Sequence, residues 1–337
     1  MTFGTVRMDH PAVLARGDEP SCCGIDSVSP THREAGMHPI LTKEVLSPNV
    51  TRLVTTAPRI AQVRRPGQFV IVRRAPGAER IPLTIADADP EAGTITLVIQ
   101  AVGKTTADLC DLEVGDAITD IAGPLGRETE LLERGHAVCV GGGVGTAVVH
   151  PIAQGLAARG ARVTSIIGGR SREWVIYEEE LRRFGDVVVC TDDGSYGRPG
   201  FVSEALRDLL DGGGVDHVYA VGPVPMMRVV SELTFPYEVP TTVSLNAIML
   251  DGTGMCGGCR VGVGGESLYA CVDGPEFDGH EVDFKELVMR NRAYLREEKE
   301  SMDRYLHKEG KCMGSAAPGA GTPGGAGKVA ATTGGAS

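Results

Sequence analysis

Aromatic residues are scarce in this chain, with seven Phe, seven Tyr and one Trp among 337 residues. Its cores must therefore be built from Val, Ile, Leu and Ala. A surplus of positive charge is also missing: Lys and Arg number 33 against 44 Asp and Glu, a formal net charge of −11. Nucleic acid and anionic membrane surfaces attract basic patches, so neither is expected as the main partner. Residues 1–36 hold no apolar leader and carry Arg7, Asp9, Arg16, Asp18 and Glu19, so a cytoplasmic location is expected. No run reads as a membrane span. A long stretch without Asp, Glu, Lys or Arg, Ala137 to Ala158, is broken by Gly141-Gly142-Gly143, His150, Pro151 and Gln154. Those residues are costly in lipid and fit a strand, a tight turn and a helix better. Nine cysteines in such a chain do not suggest a disulfide framework. Cys110, Cys139 and Cys190 stand alone in apolar segments and read as core. Cys22 and Cys23 lie near the N-terminus, while Cys256, Cys259 and Cys271 cluster.

What is present is a folding composition, 42% hydrophobic and 23% charged. Glycine, at 46 residues, is about twice its usual share of roughly 7%. The length allows two or three domains. Residues 1–36 read as an extension and 310–337, rich in Gly and Ala, as a disordered tail. Within 37–127, short strands (Val45–Thr56, Gln68–Arg73, Ile81–Ile85, Thr94–Val102, Ala117–Ile121) are separated by turn residues, predicting a small antiparallel β-barrel. Within 128–238, apolar strands at Ala137–Val140, Arg162–Ile167, Asp186–Cys190 and His217–Val221 alternate with helical stretches at Val144–Arg159, Glu173–Phe184, Phe201–Leu210 and Pro223–Leu233. This pattern predicts a parallel α/β domain. Residues 239–309 hold a small Gly/Cys-rich module and one amphipathic helix over Phe284–His307.

Three motifs carry chemistry. The first is Val138-Cys139-Val140-Gly141-Gly142-Gly143-Val144-Gly145-Thr146, a strand entering a glycine turn and a helix. It is either a tight strand–helix turn or a cradle for a dinucleotide phosphate at a helix N-terminus. Gly222-Pro223-Val224-Pro225-Met226 ends a later strand and would share the same carboxyl edge of the sheet. The second is Arg80-Ile81-Pro82-Leu83-Thr84, followed by Gly103-Lys104-Thr105-Thr106. Arg80 can grip a phosphate and Thr84 can hydrogen-bond a ring nitrogen, although an ordinary strand with an exposed Arg reads the same way. The third is Asp251-x4-Cys256-x2-Cys259-x11-Cys271. Its spacing is that of a plant-type [2Fe–2S] loop with Asp in the first place. Zinc, which three Cys and one Asp could bind tetrahedrally, is the rival.

In this order the motifs resemble the flavin- and iron–sulfur-containing members of the ferredoxin–NADP reductase superfamily, from about Met37 to Tyr294. Within it, the chain is most similar to the small subunits (FAD, [2Fe–2S]) of electron-bifurcating NADH-dependent reduced ferredoxin:NADP oxidoreductases, also called sulfide dehydrogenase beta subunits. The most specific stretches run from Asp251 to Val261 and from Ala270 to Phe284. The electron-transfer subunits of dihydroorotate dehydrogenase have four cysteine ligands, and Asp251 separates this chain from them.

The resemblance implies a division of roles. Arg80 would hold the FAD phosphate, with Pro82 in place of the usual aromatic and Leu83 and Thr84 near the isoalloxazine. Gly103, Thr105 and Thr106 would line the FAD pyrophosphate. Gly141, Gly142, Gly143, Gly145, Thr146, Gly222, Pro223 and Met226 would hold the nicotinamide nucleotide. Asp251, Cys256, Cys259 and Cys271 would ligate the cluster. It also implies an oxidoreductase subunit that moves a hydride between NAD(H) and FAD and single electrons between FAD and the cluster. The partner would be a larger flavoprotein resembling the glutamate synthase small subunit, with [4Fe–4S] clusters and access to ferredoxin. Arg170, in Gly169-Arg170-Ser171-Arg172, could grip a 2′-phosphate and favour NADP(H); NADH is the expected cofactor. Two alternatives stay open: the electron-transfer subunit of dihydroorotate dehydrogenase, of sulfide dehydrogenase or of a cytosolic hydrogenase, and a zinc-stabilised binding module.

Overall fold

The computed structural model describes residues 37–308. The segments 1–36, with Cys22 and Cys23, and 310–337 lie outside the described residues.

Residues 38–125 form one antiparallel sheet. Its strands are β1 (His38–Ser47), β2 (Val50–Thr56), β3 (Phe69–Arg73), β4 (Ile81–Asp89), β5 (Thr94–Gln100), β6 (Ala117–Ile118) and β7 (Asp120–Leu125). They lie in the order β6-β1-β2-β5-β4-β3-β7. The two edge strands, β6 and β7, are joined by the single residue Thr119, whose N–H donates to Arg74 O at 3.0 Å. The edges of the sheet must therefore meet, and the sheet curls into a nearly closed barrel with few open edges. Leu53, Val70, Val72, Ile85, Ile95, Leu97, Ile99 and Ile118 fill it. Each such side chain contributes roughly 1.5–3 kcal/mol by leaving water. The segment expected as one strand over Val45–Thr56 is the end of β1, a turn at Pro48-Asn49, and β2. The apolar alternation continues across the turn and hides it. Helix α1 (Pro58–Val63) was not apparent, and α2 (Lys104–Cys110) packs Leu109 into the barrel core.

The second sheet holds β8 (His136–Gly142), β9 (Arg162–Gly169), β10 (Asp186–Thr191), β11 (Arg198–Pro199), β12 (His217–Val221), β13 (Thr241–Ser244) and β16 (Glu276–Asp278). Its order is β11-β10-β9-β8-β12-β13-β16, parallel except for the antiparallel pair β13–β16. The near-continuous burial of β8 is what a parallel strand covered on both faces requires. Helices α3 (Gly145–Ala158), α4 (Glu178–Arg182), α5 (Val202–Asp211) and α6 (Val224–Thr234) connect the strands. Of the helix expected over Glu173–Phe184, only a 3₁₀ turn at Arg172–Trp174 and the five-residue α4 form. Strands β13 and β16 follow residue 238 in the chain, yet they complete this sheet.

The remaining residues form a hairpin of β14 (Arg260–Val263) and β15 (Glu266–Tyr269), then α7 (Phe284–Asn291) and α8 (Leu295–Lys308). The hairpin turns on Gly264 and Gly265, both at positive φ (59° and 82°), as a two-residue loop between twisted strands demands. Asp283 caps α7 by accepting from the Glu286 N–H at 2.9 Å. The expected single helix over Phe284–His307 breaks at Arg292-Ala293-Tyr294, and Tyr305 on its second half donates to Asp111 beside α2.

Candidate functional site

The order of the second sheet reverses at β8. The chain adds β9 on one side and later β12 on the other, so the crevice at the carboxyl ends of β8 and β12 is the topological switch point where such sheets take ligands. Gly141 pairs with Val221 and Gly142 with Gly168, so the turn after β8, the turn after β12 and the loop after β9 share one edge. The glycines there divide by function. A Cβ on Gly145 would stand 2.2 Å from Val221 O. One on Gly142 would meet Met226 Sδ at 2.5 Å, one on Gly222 would meet Met226 Cε at 2.8 Å, and one on Gly141 would meet Thr146 Cα at 2.8 Å. These four let two strand–helix turns pack together. Gly143 differs: its φ is +55° and a Cβ would meet nothing within 4 Å. The tight-turn reading of the motif thus holds for these four, and Gly143 alone leaves space beside the backbone. Gly143 borders the open crevice, with its own N–H committed to Gly168 O at 2.9 Å. Pro223 precedes α6, and its carbonyl accepts from the Met226 N–H at 2.9 Å. Thr146 is buried. Arg170, exposed on the same edge, sits 5.9 Å over the Trp174 ring. Its charge partly offsets the burial that raises the Asp192 carboxyl.

The flavin motif lies at the start of β4. Phe69 pairs with Thr84, Val70 with Leu83 and Ile71 with Pro82. Strand alternation puts Pro82 and Thr84 on one face and Leu83 on the other, where Leu83 packs against the barrel core. Leu83 can therefore face a flavin only through its backbone. Arg80 is exposed just before the strand. Thr105, buried at the start of α2, donates its hydroxyl to Glu79, next to Arg80. Thr106 Oγ1 accepts from the N–H groups of Val102 (3.1 Å) and Gly103 (3.0 Å), so its hydroxyl caps α2. A Cβ on Gly103 would meet nothing within 4 Å, which leaves room beside the backbone for a phosphate. Glu79 was not evident from sequence, and no local pattern marks it.

The cluster loop packs on the barrel. A Cβ on Gly252 would stand 2.7 Å from Leu125 Cδ1 and 2.9 Å from Ile71 Cγ1. Ile71 pairs with Pro82, so one strand separates this loop from the flavin motif. Its four predicted ligands fall into two pairs. Cys259 Sγ and Cys271 Sγ, both buried, are 3.2 Å apart. Cys256 Sγ is 3.5 Å from Asp251 Oδ1, and both groups are more open to solvent. Two thiolates on one tetrahedral metal at about 2.3 Å would stand about 3.8 Å apart, close to the buried pair. Among the described residues, no three His, Cys, Asp or Glu side chains converge as one mononuclear ion requires. Two pairs, one to each iron, suit a two-iron cluster. The thiol of Cys271 is pushed up to about 12 by burial and by Cys259 beside it. A bound cation is what makes such thiols ionise. The Asp251 carboxyl is held low by the Thr253 N–H and then by the Cys256 N–H. The Gly258 N–H points at Cys256 Sγ at 3.5 Å. The residues present fit an iron–sulfur group.

Known proteins carry related sequences and folds. The signature of the iron–sulfur cluster binding domain of dihydroorotate dehydrogenase B matches residues 246–283. A dihydroorotate dehydrogenase B electron transfer subunit homolog of Thermotoga maritima is 42% identical over 275 residues, covering 82% of this chain and 98% of that protein. The electron transfer subunit of dihydroorotate dehydrogenase B from Bacillus caldolyticus is 36% identical, over 72% of this chain and 96% of that one. The chain belongs to this family of electron-transfer subunits. A chain from the solved NADH-dependent reduced ferredoxin-NADP oxidoreductase, a structure described for its flavin-based electron bifurcation, is 41% identical. It matches over 80% of this chain and 98% of that one with a TM-score of 0.77. The ferredoxin reductase of carbazole 1,9a-dioxygenase, at 18% identity and a TM-score of 0.51, shares the fold. The family is of the oxidoreductase type, with FAD, an iron–sulfur cluster and NAD(H) as cofactors, and its members are subunits that work with a larger partner. Among the described residues no helix is long and apolar enough to cross a membrane.

Proposed function

We propose that this electron-transfer subunit is the small subunit of an electron-bifurcating NADH-dependent reduced ferredoxin:NADP oxidoreductase. The observation that carries the reading is Asp251, whose carboxylate stands beside Cys256 Sγ in the place of a fourth cysteine. The similarity to the solved bifurcating enzyme over nearly its whole small chain supports it. Arg80, Pro82, Thr84, the Leu83 backbone, Gly103, Thr105 and Thr106 would hold FAD on the outer face of β4. Asp251 and Cys256 would hold one iron, Cys259 and Cys271 the other. Gly141–Thr146 and Gly222–Met226 would form the nicotinamide-nucleotide crevice, with Arg170 at its rim. Bound there, these groups supply the change from two-electron to one-electron chemistry. The chain's own part is to fix the crevice edge against the barrel and to press the cluster loop onto β3, one strand from the flavin motif. In this reading, residues 37–127, 128–238 and 239–309 are the flavin, nucleotide and cluster domains.

The partner in this reading is a larger flavoprotein resembling the glutamate synthase small subunit, which carries [4Fe–4S] clusters and reaches ferredoxin. The test is to reconstitute the chain anaerobically with such a partner. NADP⁺ reduction that requires both NADH and reduced ferredoxin is expected. Dihydroorotate-dependent NAD⁺ reduction with a barrel-type dehydrogenase, and none with the flavoprotein, would assign the chain to the dihydroorotate enzyme instead.

A further inference from the structure

Glu276 is an acidic residue at a buried junction that none of the roles above uses. It opens β16 and is half-buried as a residue, but its Oε2 has no hydrogen-bond partner and is closed to solvent. Its Oε1 accepts from Thr129 Oγ1 at 2.9 Å. Three segments meet there. Thr129 lies in the connector between barrel and nucleotide sheet, and its N–H donates to Pro66 O at 2.9 Å. Gly67 follows Pro66 at φ +82°, and a Cβ there would stand 2.4 Å from Thr129 Oγ1 and 2.9 Å from Glu276 Oε1. Glu276 itself follows the cluster loop by five residues and pairs with Ser244.

The junction touches both predicted cofactor supports. Gly67 and Gln68 lead into Phe69, the β-partner of Thr84 in the flavin motif. Pro275 packs with Phe69 around Gly126, and the Gly274 carbonyl accepts from the Arg127 N–H at 2.7 Å. Among the described residues, no cation pairs with the carboxyl. The titratable groups facing it from the sheet are Cys139 on β8 and Tyr219 on β12, both raised chiefly by burial and further by Glu276. Among the described residues, Arg127, Glu128, Glu130 and Asp278 on the neighbouring segments are exposed and none bonds to it. Burial pushes the Glu276 carboxyl up to about 7. Thr129, finally, lines a polar cleft of about 390 Å³ together with Glu128, Glu130, Arg159, His217 and Tyr219. Thr129 thus lies between this cleft and the closed carboxyl.

We propose that Glu276 is a proton-binding site that takes up one proton from the cleft, through Thr129, when the bound cofactors gain an electron. The inference rests on the function proposed above. The reducing equivalents come from the nicotinamide dinucleotide as hydride, two electrons with one proton, and the proton bound at Glu276 is additional to that one. The proton comes from water in the cleft: Thr129 Oγ1 passes its own proton to the Glu276 carboxylate and takes another from that water, so only O–H bonds change. The added negative charge is then offset by a neutral acid, and a reduced state becomes easier to reach at lower pH.

The test uses the full chain purified anaerobically with its cofactors. Redox titration of the cluster couple on either side of pH 7 should give wild-type potentials that fall as pH rises. The limit for a one-electron couple is about 59 mV for each tenfold fall in proton activity. Glu276→Gln should flatten that slope. A reduced-minus-oxidised infrared difference spectrum of the wild type should show a carboxylic C=O band that moves in D₂O, and Thr129→Val should slow its appearance. Equal slopes in wild type and Glu276→Gln would overturn the proposal. If that variant fails to fold, absence of the wild-type carboxylic band overturns it instead. A wild type without flavin or cluster bands would overturn the functional reading and this proposal together. Both sets of bands with no proton linkage would overturn the proposal alone.

Discussion

Gly145→Ala isolates the packing claim at the switch point. An exposed helical Gly gains up to about 1 kcal/mol on becoming Ala. Here the new methyl would meet Val221 O at 2.2 Å, Val221 C at 2.6 Å and Gly222 Cα at 2.9 Å. All three are backbone atoms, and Val221 ends a strand in the middle of the sheet, so none can swing aside as a side-chain tip would. Overpacking typically costs about 1–3 kcal/mol. With backbone on the receiving side, we expect the upper end, about 3 kcal/mol. At about 2–4 °C per kcal/mol for a protein of this size, Tm should fall by about 6–12 °C. Gly143→Ala is the control. Its methyl meets nothing, and only the left-handed φ of +55° opposes it, at about 1 kcal/mol. Its Tm should fall by about 2–4 °C, while its Kd for the dinucleotide should weaken more than stability does. Thermal melts of both variants, with NADH binding measured at low temperature, decide the matter. An unchanged Tm in Gly145→Ala would refute the packing account of this glycine.

Other outcomes follow from the same geometry. Gly252→Ala, at φ +75° and pressed on Ile71 and Leu125, should lower the iron content of the purified protein at unchanged flavin content. Equal iron would mean that the loop's seat on the barrel does not matter. Asp251→Cys should still assemble a cluster, with shifted EPR g-values and potential, because a carboxylate is a harder ligand than a thiolate. Unchanged spectra would remove Asp251 from the ligand set. His217, stacked 4.4 Å from the Tyr219 ring and bonded through Nε2 to Thr242 Oγ1 at 2.8 Å, is lowered by burial to about 4. Its folded value lies below the unfolded one of about 6.5, so its stabilisation is full above 6.5 and is lost as pH falls from there towards 4. The loss is on the order of 3 kcal/mol. Denaturant melts of His217→Gln across that window should lack this part of the acid slope, and an identical slope would contradict it.

The iron–sulfur segment was the most legible part of the chain, because its predicted ligands are local: Asp251, Cys256 and Cys259 stand out by spacing. Their division into two pairs was not legible, since it depends on how β15 returns Cys271 to Cys259. The barrel and the parallel sheet could be read from alternation and from apolar runs. The helix break at Arg292-Ala293-Tyr294 could not, because it contains neither Pro nor Gly. The glycine turn after β8 showed a phosphate-type pattern but not its division of labour, which depends on Val221 and Met226 arriving from about eighty residues later. Glu276 gave no signal. An acid between Pro275 and Phe277 looks like a surface residue until Gly67 and Thr129 close over it.

The most direct measurement is an anaerobic UV–visible titration of the purified full chain with NADH, followed by NADPH. Flavin bands with a broad cluster shoulder, both bleached by NADH, are expected. Bleaching by NADPH alone would assign Arg170 to a 2′-phosphate and contradict the NADH reading. A colourless protein after anaerobic reconstitution would contradict the flavin and iron–sulfur assignment itself.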